Sequence, residues 1–192
     1  MRNKCEIPRT KSPITFEQMS IIIHSQRLWQ QLSYWVRALI IATLRDPARQ
    51  PSVLDRLYTG TTREFYDYFR LMYGAEVAEH LLQIISGTVV NLLNVIEGIK
   101  NNNQDQVNSN TLKLYETADV FSAYLHELNS HWEELLWRNY LYQFIRLILD
   151  QTVTIATEKF DDEIVIAGRI EDLTAIMGNY MAQGIIRNLP SQ

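Results

Sequence analysis

Apolar residues recur at three- and four-residue spacing through most of this chain, and no proline interrupts the pattern between Pro51 and Pro190. Proline removes a helical hydrogen bond and clashes with the preceding turn, so the pattern predicts long unbroken helices. Thr15 followed by Gln18 reads as a capping box. The helix it opens runs to about Leu44, with Ile21, Ser25, Leu28, Leu32, Trp35, Leu39 and Ala42 facing inward. Asp46-Pro47 and Pro51 end it. A short helix begins at Ser52, Gly60 breaks it, and Thr61 with Glu64 caps a second piece that closes at Gly74. Residues 75–100 form a long helix marked by Leu81, Ile85, Leu92, Ile96 and Ile99, followed by a polar loop at 101–105. A further helix at 107–128 turns Leu114, Ala118, Phe121 and Leu125 inward. Ser130 and Glu133 form another capping box, opening a helix from His131 to about Glu158. The last helix, 162–188, carries Ile166, Ile170, Leu173, Met177, Met181 and Ile185, and Pro190 prevents its continuation.

Helices joined by short connections pair antiparallel. The expected fold is therefore all-α, an up-and-down helical bundle with a short broken crossover helix between Pro51 and Gly74. One domain is expected over 15–189, after a disordered basic tail at 1–14. At 192 residues and 46% apolar content, the chain has material for a single sizeable core. The tail carries +3, so the net charge of −4 leaves −7 on the remainder. A body that acidic lacks the clustered Lys and Arg of nucleic-acid binders. The single cysteine, Cys5, permits neither an internal disulfide nor a thiolate zinc site, which suits reducing cytoplasm. In the first helix the apolar run from Trp35 to Leu44 is interrupted by Arg37, too short for a membrane span. No membrane partner is expected.

Bundles can hold metals through Glu-x-x-His pairs on facing helices, and that spacing is absent here. Glu76 and His80 share a helix face, and His126 and His131 flank the turn near Leu128. These four are the candidate metal ligands, with carboxylates such as Glu97 or Glu171 as additions; no cofactor is otherwise indicated. No nucleophile elbow or glycine-rich phosphate loop occurs. Gly87, Gly98, Gly168, Gly178 and Gly184 fall inside helices, each at a cost of about 1 kcal/mol relative to alanine. Close helix approach offsets such a cost, and so does a cavity that admits a ligand. The aromatic run Phe65-Tyr66-Asp67-Tyr68-Phe69 offers a pocket wall, with Tyr66 as its candidate residue, or a surface for a partner. Trp29, Ile40 and Ile41, beside the first inward stripe, offer a seam for a homodimer.

The segments Leu28-Trp29-Gln30-Gln31, Trp35-Val36-Arg37, Arg56-Leu57, Phe69-Arg70, Tyr73-Gly74, Ala118-Asp119, Trp137-Arg138-Asn139 and Met181-Ala182 with Gly184-Ile185 resemble a family of uncharacterised helical proteins from Gram-positive spore-forming bacteria. The resemblance spans about 28–189 and implies architecture, with no particular chemistry. It also implies histidines where this chain has Leu32, Thr88 and Phe144, and an aspartate where it has Asn179, a set suited to metal. This chain departs at all four. What would remain is an apolar layer with a Thr88 to Asn179 hydrogen bond, beside Gly178 in a small ligand pocket. The sequence thus points to a non-catalytic bundle that binds a protein partner, itself or a small apolar ligand. A ferritin-like metal or redox protein with a degenerate site is the alternative, and a small-molecule enzyme in an interhelical pocket stays open.

Overall fold

The computed structural model describes residues 14–189; the basic tail, but for Ile14, lies outside the described residues, as does Pro190. The helices are α1 (Phe16–Arg45), α2 (Gln50–Asp55), α3 (Thr62–Tyr73), α4 (Ala75–Lys100), α5 (Gln104–Leu128), α6 (Glu134–Ala156) and α7 (Phe160–Asn188), and no strand occurs among the described residues. The all-α bundle is therefore as expected.

Helix α1 starts as the Thr15 capping box dictates: the Thr15 hydroxyl accepts from the Gln18 amide and the Gln18 side chain accepts from the Thr15 amide. It is the central element, packed along α7 and touching α2, α3, α4 and α6. Neighbours α3 and α4, α4 and α5, α5 and α6, and α6 and α7 pair in sequence, which closes the up-and-down arrangement. Gly74 ends α3 at φ 93°, a left-handed position where only glycine is free of strain. Lys100 Nζ donates to the Thr43 carbonyl and Arg45 donates to the Ile155 and Ala156 carbonyls, so the ends of α4, α1 and α6 are cross-tied.

Several local expectations fail for identifiable reasons. Gly60 does not break the crossover, because residues Arg56–Thr61 widen into a π-helical segment that joins α2 to α3 without interruption. The absent Gly60 side chain leaves room for the Arg56 guanidinium, which a Cβ there would overlap. Thr61 is helical and caps nothing. Pro51 lies in the first turn of α2, where its missing amide proton costs nothing. The Ser130 box is also not formed: α6 begins at Glu134, and 129–133 is a turn. Burial of Trp132 decides this, since its side chain is 0% exposed against α7. The buried Asn129 organises the turn, accepting from the His131 amide and donating to the Tyr73 hydroxyl.

The core runs along an aromatic line. The Trp29 ring lies 5.4 Å from Phe65 and 5.8 Å from Trp137, whose ring is 6.2 Å from Trp132. Trp29 and Ile40 are buried, so they supply no dimer seam, and Trp35, assigned to the inward stripe, is only half-buried. On length and composition α4 is apolar enough to cross a membrane, and it packs here between α3 and α5.

Candidate ligand groove

The expected site residues do not converge. Gly178 sits where α7 presses on α1: a Cβ there would fall 2.5 Å from Gln26 Cα and 2.8 Å from Gln26 N. It is a helix-contact glycine with no space beside it. Asn179 is exposed and accepts from Gln26 Nε2 at 2.8 Å, while the Thr88 hydroxyl returns to the Ile84 carbonyl at 2.9 Å. The Thr88 to Asn179 bond is thus not formed. Tyr66 is half-buried with Arg63 4.4 Å above its ring.

Leu32, Thr88 and Phe144, three of the four positions singled out by the resemblance, do line one interior cavity, together with Trp29, Leu114 and Phe121, whereas Asn179 does not. Its volume is about 60 Å³ and its wall is almost wholly apolar. Ligand sites typically enclose ~300–1,000 Å³. This space is a packing defect by comparison.

The four candidate metal ligands are dispersed in purpose. His126 Nδ1 is 2.8 Å from the Trp132 carbonyl, where it can act only as donor, and thereby helps fix the turn. The His80 ring packs on Tyr124 at 4.4 Å, and Glu76 and His131 are exposed. Among the described residues no three His, Cys, Asp or Glu gather closely enough to hold a metal ion.

A groove of about 440 Å³ lies instead along the seam of α1 and α7, with α6 beneath. Helix α1 contributes Arg27, Gln30, Gln31, Ser33, Tyr34 and Arg37; α6 contributes Gln151; α7 contributes Ala167, Ile170, Glu171 and Thr174. Small α7 side chains opposite long α1 ones leave the depression. Beside it Arg37 grips Glu163 in a bidentate pair, Nε to Oε1 at 2.7 Å and an Nη to Oε2 at 2.9 Å. Gln151 Nε2 donates to the same Oε1 at 2.7 Å. Glu163 is only 3% exposed. The Arg37 hydrogen bonds hold its carboxyl below the usual range, outweighing burial, and the carboxylate in turn raises Arg37.

The amide of Gln151 is thereby oriented, nitrogen toward Glu163. Its oxygen is buried and has no hydrogen-bond partner, on a residue 1% exposed that lines the groove. Unmatched buried carbonyls are uncommon because they forfeit solvation. At the other end, the Gln31 amide, with its nitrogen toward Glu64, accepts from Arg27 Nε at 3.0 Å. Arg27 and Arg56 both approach Glu64, at 3.7 and 3.4 Å.

Sequence reasoning named none of Arg37, Gln151 and Glu163 as site residues. A signal existed: Gln151 stands between Ile148 and Ile155 on the buried stripe of α6, where glutamine needs a reason to be. In comparisons with known proteins, no protein-family model, curated protein or solved structure matches the chain.

Proposed function

We propose that this chain is a non-catalytic binding protein that takes a small polar molecule in the α1–α7 groove. The observation that carries the reading is the groove itself, about 440 Å³ and lined by charged and polar side chains that include Arg27, Gln31, Tyr34, Arg37, Glu171 and Thr174. Binding is favoured over catalysis because the nearest buried carboxylate, Glu163, has both oxygens committed and is held ionised by Arg37, which suits a structural anion better than a proton-transfer group. A polar ligand replaces the apolar one expected from the sequence, since the apolar cavity is too small for one. We assign it to the cytoplasm on its single cysteine.

The test is a mixed-metabolite screen by NMR on the full chain. The expected result is shifts confined to backbone amides of α1 and α7 around the groove, abolished by Ala167→Trp, which fills it. Shifts elsewhere, or none, overturn the reading. Elemental analysis of untagged protein addresses the metal-binding alternative, which stoichiometric iron, manganese or zinc would restore.

A further inference from the structure

We infer that the outward face of α7 is the interface of an antiparallel homodimer, a function separate from the groove. Val165, Arg169, Asp172 and Ile176 follow one another at spacings of four, three and four, the rhythm of a seam between two helices. All four are exposed, Val165 at 56% and Ile176 at 48%. Arg169 and Asp172 join no ion pair among the described residues, although they stand one turn apart on the same helix. The other sides of α7 are taken: Gly178 lies against α1, and Leu173 and Met177 are buried in the core. The groove residues Ala167, Glu171 and Thr174 stand on the α1 side of the helix, away from this row.

The occupant is a second copy of the chain because the row complements itself when reversed. It has an apolar residue at each end and opposite charges between them, symmetric about the midpoint of Ile170 and Glu171. A twofold axis through that midpoint brings Val165 onto Ile176 of the second copy and Arg169 onto its Asp172, each contact made twice, as an isologous interface requires. One step further out, Asp162 meets Asn179, whose side-chain oxygen is held by Gln26 and whose amide nitrogen is left to donate. Parallel pairing in register would instead set arginine on arginine and aspartate on aspartate. The charges therefore fix direction and register, and the contacts of valine with isoleucine supply the apolar burial. With so few apolar residues the seam is that of a weak, concentration-dependent dimer. Gly168 stands to one side of the row, so the seam makes no demand on that position.

The experiment is analytical ultracentrifugation of the full chain from micromolar to near-millimolar concentration, with charge reversals in the seam. The wild type is expected to pass from monomer to dimer. Arg169→Asp and Asp172→Arg, each of which turns both cross-pairs repulsive, should weaken the dimer at least ~10-fold. The double variant Arg169→Asp/Asp172→Arg rebuilds both pairs with the charges exchanged and should restore wild-type association. An equimolar mixture of the two single variants should form a heterodimer, since one then carries two acids along the row and the other two bases. Ile176→Ser should weaken the dimer, and Leu112→Ser, at an exposed apolar position on α5, should leave it unchanged. A chain that stays monomeric at every concentration overturns the proposal. So does a dimer that the single reversals leave intact, that the double reversal fails to restore, or that Leu112→Ser weakens as much as Ile176→Ser.

Discussion

The helical glycines divide by what surrounds them. Gly178 and Gly184 are occupied from outside: the α1 backbone lies against the first, and the Trp132 indole lies where a Cβ of the second would be. That indole donates to the Met181 and Tyr180 carbonyls, an approach the glycine permits. At Gly87 and Gly168 a Cβ would meet nothing within 4 Å. Alanine should therefore act oppositely at the two pairs. Gly184→Ala and Gly178→Ala are expected to lose about 1–3 kcal/mol through overpacking. Gly87→Ala and Gly168→Ala should gain about 0.5–1 kcal/mol from helix propensity. Urea unfolding midpoints at constant slope check both, and a loss at Gly168 would mean that its exposed face serves a contact outside the monomer.

Between elements, the tie that matters most to the groove is Arg37 with Glu163 and Gln151, linking α1, α7 and α6. Because Arg37 holds the Glu163 carboxyl below the ordinary glutamate value of about 4.3, the unfolded chain takes up that proton more readily than the folded one. The pair's stabilisation is thus complete above that value and is lost as pH falls through the lower, folded one. Glu163→Gln is expected to cost about 2 kcal/mol at pH 7, as for hydrogen bonds to charged groups. The deficit should shrink below about pH 4, and a deficit that stays level with pH would point to packing alone. This tie also marks the limit of what sequence could reveal. The bounds of α4 were legible because Gly74 and the Asn101–Asn103 turn are local signals, and the Thr15 box formed for the same reason. The Ser130 box carried an equal local signal and failed, since burying Trp132 on α7 outweighs one cap. Likewise Gln151 acquires meaning only when Arg37, far away in sequence, arrives beside Glu163. The helical period of α6 places Gln151 on the buried stripe, but which groups it meets there is a tertiary fact that no period reports.

At the scale of the whole molecule, the centre is closed by aromatic packing rather than hollowed for a guest. Leu32, Thr88 and Phe144 come from three helices to one cavity of about 60 Å³, whereas about 150 Å³ is known to suffice for benzene in a dry protein cavity. The wild-type chain should therefore show no stabilisation by benzene. Phe144→Ala removes a ring from the cavity wall, 6.4 Å from Trp29, and should cost about 3–5 kcal/mol if the neighbours do not collapse into the space. Because Leu32, Val36, Leu114, Phe121 and Leu141 remain in the wall, and the Thr88 and Thr117 hydroxyls that share it are bonded to carbonyls of their own helices, the enlarged space stays largely apolar. Saturating benzene should then raise the melting temperature of the variant and leave that of the wild type unchanged, since only a state that binds is stabilised. Stabilisation of the wild type by benzene would instead mean that the core breathes enough to admit an apolar ligand, and would move the proposed binding site from the α1–α7 seam to the bundle interior.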